Sequence, residues 1–214
     1  MNVAKKDKYL IITLIPLLIV LFILFSSSIS LAEEIKAYKG LKFKQTPKEV
    51  IDVFRSDSEI RGYPVAYDDI EHHITSGEGM FRGETTLLDR KTDMLMSFYQ
   101  NHLYSVAFLS KSVTADKFKI KLSTVRKDYA SLIKNKYGEP DFKKEVNFLD
   151  VTGDYPAVSH RWNLSNRKIL ITTEEYKSHY SVILQLIYEP LWDEKYGDEA
   201  EAKEEDIEEE SSNF

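Results

Sequence analysis

The chain has 214 residues, 43% of them hydrophobic and 30% charged, with a formal net charge of −6 and no cysteine. Disulfides and thiolate chemistry are therefore excluded, and stability must come from packing. Eleven acidic residues against two lysines fall in Asp193–Phe214, which leaves the body near neutral and without the concentrated basic face of a nucleic-acid groove.

At the N-terminus, Lys5, Lys6 and Lys8 precede an apolar run from Leu10 to Phe25, broken only by Thr13 and Pro16. Ser30-Leu31-Ala32 then places small residues before a cut between Ala32 and Glu33. Charge, apolar run and small-residue site together form a secretory signal pattern. The alternative is an uncleaved anchor, for which sixteen residues fall short of the roughly 20 that a bilayer core requires. Both readings put the following domain outside the cytoplasm, as a secreted, periplasmic or membrane-anchored protein. The expected organisation is residues 1–32 as signal or anchor, 33–192 as one α+β domain, and 193–214 as a disordered acidic tail, since like charges at that density resist compaction.

Thr46-Pro47-Lys48-Glu49 reads as a helix start: Thr46 caps, Pro47 suits the first helical position, and Glu49 completes a capping box. Val50, Ile51 and Phe54 share its apolar face to about Arg55. Ser56 to Gly79, punctuated by glycine and proline, reads as a long irregular connection.

Met80–Leu88, Asp93–Tyr99 and Leu103–Leu109 read as strands. A three-residue turn at Gln100-Asn101-His102 is preferred for the second hairpin, because it aligns Met94, Met96 and Phe98 with Tyr104, Val106 and Phe108. Thr114–Lys136 is the strongest helix, with an apolar stripe through Phe118, Leu122, Val125, Tyr129 and Leu132. Lys119, Lys121, Arg126, Lys127 and Asp128 are assigned to its solvated side. Gly138 and Pro140 stop it. Lys144–Val151, Val158–Leu164, Lys168–Glu174 and His179–Tyr188 complete the strands, with a two-residue turn at Ser165-Asn166 for which Asn166 is expected to supply a positive φ. The fold class is thus α+β, with two amphipathic helices on a twisted antiparallel sheet. Its helix-then-strands order, repeated, suggests a degenerate duplication.

Gly40-Leu41-Lys42-Phe43 and Thr46-Pro47-Lys48-Glu49-Val50, the hairpin Phe98–Val106, and Tyr137-Gly138-Glu139-Pro140 resemble small bacterial envelope domains of the BamE/SmpA-like or β-lactamase-inhibitor-protein-like kind. Lys44 stands where that pattern has glycine. The resemblance implies a non-enzymatic binding or assembly role in the cell envelope, and no catalytic residue.

The one dense ligand cluster is Asp68-Asp69-Ile70-Glu71-His72-His73. Adjacent histidines point to opposite faces of a strand and diverge on a helix, a poor match to zinc spacing. Asp68, Asp69, His72 and His73 are retained only for an alternative metal-assisted hydrolase. His160 beside Trp162 reads as a core histidine. The strands' second face is more promising: Leu95, Ser97, Tyr99 and Ser181, Ile183, Gln185, Ile187 mix apolar with polar where a solvated face should be polar. Either the 56–79 connection covers it, or it is an open platform, with Leu95, Tyr99, Ile183 and Ile187 as the candidate contacts. The reading is therefore an exported interaction module with no cofactor, binding an envelope protein or ligand. A carrier of an apolar small molecule is a further alternative.

Overall fold

The computed structural model describes residues 35–62, 77–151 and 156–197. The chain divides into two units, Met1–Ile35 and Lys36–Phe214, and the second carries the fold. Ala32, Glu33, Asp68, Asp69, His72 and His73 all lie outside the described residues. No helix among the described residues is long and apolar enough to cross a membrane.

A short hairpin of β1 (Lys36–Tyr38) and β2 (Leu41–Lys42) leads into helix α1 (Pro47–Ser56). The expected capping box is present. The Thr46 N–H donates to Glu49 Oε2 at 2.7 Å, and the Glu49 N–H donates to Thr46 Oγ1 at 3.4 Å. The link from β2 to α1 is held to the sheet by the Lys44 N–H on Leu103 O (2.9 Å) and the Leu103 N–H on Gln45 O (2.8 Å). Lys44 itself takes φ 68, a left-handed conformation that suits glycine best. Part of the expected irregular connection is strand: β3 (Ile60–Gly62) pairs with β4 (Gly79–Leu87).

The main sheet is antiparallel throughout its ladders. Its remaining strands are β5 (Arg90–Tyr99), β6 (His102–Leu109), β7 (Val113–Thr114), β8 (Phe142–Lys143), β9 (Ala157–Leu164), β10 (Arg167–Tyr176) and β11 (His179–Tyr188). Their order is β3-β4-β5-β6-β11-β10-β9-β8, with β7 against β11. The α+β class with a large antiparallel sheet is as expected. The order is also the same read inward from either edge: each half supplies a helix, a short edge strand and a three-strand meander, and the halves meet at β6 and β11.

One face of the sheet is the core. The register carries a continuous row across six strands, Phe81–Met96–Val106–Leu186–Ile169–Trp162. A parallel row runs Gly83–Met94–Phe108–Leu184–Ile171–His160. Over this face α1 sets Phe54 edge-on to Phe81 at 5.1 Å, and Tyr38 sets its ring edge-on to Phe108 at 4.7 Å.

Helix geometry departs from expectation between 115 and 137. The segment opens as a 3-10 turn (Ala115–Lys117), continues as a π-helix (Phe118–Leu122), and becomes α-helical only as α2 (Ser123–Tyr137). The wider π turn shifts the inward stripe, so that Phe118, Leu122, Arg126, Tyr129 and Ile133 are buried and Val125 is half-buried. Arg126, expected on the solvated side, instead donates to Thr173 Oγ1 and to Val146 O, both at 3.1 Å. Gly138 closes the helix at φ 85, as its position required. The expected strand Lys144–Val151 is not one: β8 ends at Lys143, and Phe148–Asp150 is a 3-10 turn.

Two hairpins differ informatively. The β5–β6 turn is two residues, Gln100 and Asn101, at φ 50 and 61. The apolar mismatch that argued against it is removed by a β-bulge: Phe98 faces Leu103 while Ser97 faces Ser105, so Tyr104 is the extra residue. Met94, Met96 and Phe98 thus share the core with Leu103, Val106 and Phe108, and Tyr104 leaves it. At β9–β10 the two-residue turn forms as expected, yet Asn166 is not among the residues with positive φ. A bulge at Ser159 there sets Val158 opposite Thr172, and Ser159 Oγ donates to Ile171 O at 2.9 Å.

Candidate functional site

The sheet's second face is organised by the same register. Arg82, Leu95, Ala107, Gln185 and Leu170 form one row across β4, β5, β6, β11 and β10. The next row is Glu84, Asp93, Leu109, Ile183 and Thr172. Leu95, Leu109, Leu170 and Ile183 are each half-buried, so aliphatic side chains meet in the middle of the sheet. Charge collects toward the β4 edge, where Arg82 pairs with Asp93 at 2.7 Å and Lys91 with Glu84 at 3.1 Å. From the first row, Gln185 Nε2 reaches diagonally to donate to Ser105 Oγ at 3.0 Å, linking the two central strands over the seam.

A third helix, 189–197, packs on this face. Glu189-Pro190 starts it, proline suiting the first turn, and Trp192 and Tyr196 fall one turn apart on the same side. Their ring centroids are 4.5 Å apart, and Trp192 lies 6.1 Å from Tyr104. The Tyr104 and Tyr196 hydroxyls stand 3.3 Å apart. Burial, reinforced by this contact, pushes the Tyr104 hydroxyl well above the ordinary tyrosine range. Lys195 sits over the rings of Tyr99, Tyr104 and Tyr196 at 5.4–5.6 Å and pairs with Glu78 at 2.6 Å. Burial pulls its ammonium down, but Glu78 and Tyr196 outweigh that and hold it above the usual lysine value. Gln100 Nε2 donates to Glu194 at 2.6 Å.

The helix corrects the sequence reading twice. It continues to residue 197, five residues into the stretch assigned to the acidic tail. It is also a cover of the second face that was not foreseen, while the 63–76 part of the proposed covering connection lies outside the described residues. The four expected contacts divide accordingly. Leu95 and Ile183 come together in adjacent rows through Ala107 and Leu109. Tyr99 is engaged by Lys195. Ile187 is only 1% exposed, which removes it from any surface a partner touches. Lys195 and Tyr196 were missed because they fall in the stretch assigned to the acidic tail, and Trp192, the last residue of the expected domain, was given no element. The Pro190 start and the Trp192/Tyr196 spacing were the available signals.

His160 is half-buried and stacks on Trp162 at 5.9 Å, with Nδ1 3.0 Å from Ser159 Oγ. Burial first, then the nearby Lys143 and Arg126 charges, lower its pKa. Among the described residues, no three histidine or carboxylate side chains gather as a metal-ligand set. What this face offers is a partly covered aliphatic surface with an ion-paired border. Compared with protein families, with curated proteins and with solved structures, the chain finds no match.

Proposed function

We propose that this protein is an exported, non-enzymatic binding module of a bacterial cell envelope, and that it docks a partner on the second face of its sheet. The observation that carries this reading is the cluster of half-buried Leu95, Leu109, Leu170 and Ile183 on a face whose described cover, helix 189–197, engages it around Tyr99 and Tyr104. Apolar area left at a surface, with a charged border, is the usual composition of an interaction patch. Export rests on the lysines, apolar run and small residues before Glu33. The resemblance to envelope assembly and inhibitor domains points to the same class. The matched order of elements about the β6–β11 seam supports a degenerate helix-plus-meander duplication, which would give two similar half-faces side by side.

The test places a photo-crosslinking residue at Leu95 or Ile183 and, as control, at exposed Arg61, in the full chain expressed in its native cells. A discrete crosslinked species from the first two sites and not the third supports docking. Ile183→Asp discriminates further: a folded protein that loses the crosslink agrees with a surface, whereas loss of the thermal unfolding transition means that the face is interior.

A further inference from the structure

At the end of the sheet away from helix 189–197, a cavity of about 960 Å³ opens between the β4–β5 turn, the β6–β7 loop and the π-helix. That volume is within the range of small-molecule sites, roughly 300–1,000 Å³. Five cations line it, Arg90, Lys91, Lys111, Lys117 and Lys121, and no carboxylate does. Arg90 is paired with Asp128 at 3.1 Å and Lys91 with Glu84 at 3.1 Å. Lys111, Lys117 and Lys121 make no ion pair with any described carboxylate. Asp116 beside Lys117 accepts a hydrogen bond from Thr114.

The rest of the lining mixes hydroxyl side chains such as Ser112, Thr114 and Thr124 with a set of apolar ones. Leu87 and Leu122 are buried, Val113 and Val125 half-buried, and Ile120 stands 75% exposed on the π-helix. A π-helix is a rare, less stable arrangement found disproportionately at functional sites. Here it contributes Ile120, Lys121 and Leu122 to the wall. Lys111 and Lys121, with Lys117 beside the Asp116 carboxylate, share one cleft with apolar side chains, an arrangement complementary to a molecule that has one anionic end and one apolar body.

We propose that this cleft binds an anionic amphiphile, with a carboxylate or phosphate head on Lys111, Lys117 and Lys121 and its hydrocarbon part against Ile120, Val113 and Val125. Charge-assisted contacts fix the head, and burial of the chain adds apolar transfer energy. This site is separate from the sheet face, and neither depends on the other.

Isothermal titration of the full chain with hexyl phosphate, inorganic phosphate and hexanol tests the proposal. Hexyl phosphate is expected to bind one-to-one and at least about tenfold more tightly than either comparison probe. The affinity should fall as salt rises from low to high ionic strength, because the lysines are partly solvated. Lys111→Ala/Lys117→Ala/Lys121→Ala should lose about tenfold or more for hexyl phosphate with an unchanged Tm, and Ile120→Ser should narrow the gap to inorganic phosphate. Equal binding of hexanol, equal binding of inorganic phosphate, or unaltered affinity in the triple variant overturns it. Flotation with phosphatidylglycerol vesicles separates the sources of the head group. Lysine-dependent flotation assigns it to a bilayer lipid, and lysine-independent flotation alongside lysine-dependent hexyl phosphate binding assigns it to a free amphiphile.

Discussion

The hydroxyl of Tyr104 meets the hydroxyl of Tyr196 at 3.3 Å across 92 residues of sequence. The contact exists because a bulge turns Tyr104 out of the core row and onto the second face, where Trp192 and Tyr196 arrive on one side of helix 189–197. Tyr196→Phe removes one hydrogen bond and is expected to cost about 1 kcal/mol. Trp192→Ala removes a half-buried aromatic and should cost more, about 2 kcal/mol, below the range for a fully buried tryptophan. Thermal unfolding followed by circular dichroism reads both. A Trp192→Ala protein as stable as wild type would mean that the helix is not bound to the sheet in solution.

The β4–β5 turn holds Leu88 at φ 53 and Asp89 at φ 58. Two successive left-handed residues are the geometry that Asn-Gly satisfies, and a residue such as leucine is penalised there by roughly 1–2 kcal/mol. Leu88→Asn/Asp89→Gly should therefore raise stability by about 1 kcal/mol or more. The expected readout is a higher urea midpoint at unchanged slope; a lower midpoint would show that the Leu88 side chain contributes more packing than its backbone costs.

Gly83 lies under α1. A Cβ built there stands 2.8 Å from the Phe54 Cε1 and 3.0 Å from both Phe54 Cζ and the Arg61 carbonyl oxygen. Gly83→Ala is expected to destabilise by about 1–3 kcal/mol through overpacking. Phe54→Leu should recover part of this loss when the two changes are combined, giving a coupling that distant sites do not show. Additive losses in the double-mutant cycle would contradict the close approach of ring and strand.

Burial beside Trp162, with the Lys143 and Arg126 charges, holds His160 below its ordinary pKa of 6.5. As pH falls through 6.5, the unfolded chain takes up this proton before the native protein does. Stability is therefore undiminished above that pH and declines below it, until the native ring also protonates. His160→Gln should flatten this part of the profile, measured as the difference in Tm between variant and wild type across the acid range. Parallel curves would show that His160 does not contribute to the slope.

The elements that could be read from sequence are those written in neighbouring residues. The Thr46–Glu49 capping box, the Gly138 stop and strand β11 all formed as their local patterns required. So did the alternation of β5, which places Leu95 on the face opposite Met94 and Met96. The misread elements share a cause. A bulge costs one ladder position and is favoured only when the partner strand and the face behind it are in place, so Tyr104 could not be assigned from its own strand. Arg126 was placed outside by helical period, and the π turn before it moved that period inward. The acidic composition after Trp192 concealed a short helix whose stability comes from Tyr104, Tyr99 and Glu78, all distant in sequence.

By itself, then, the sequence determined the α+β class, the capped start of α1, the Gly138 stop of α2 and most strand positions, because capping, turn geometry and side-chain alternation act within a few residues. Only the tertiary structure decided the strand order, the meeting of β6 with β11, the burial of Ile187 and the docking of helix 189–197. Each of these depends on contacts between segments far apart along the chain. Their energy appears only when both sides are brought together, and no local pattern records it.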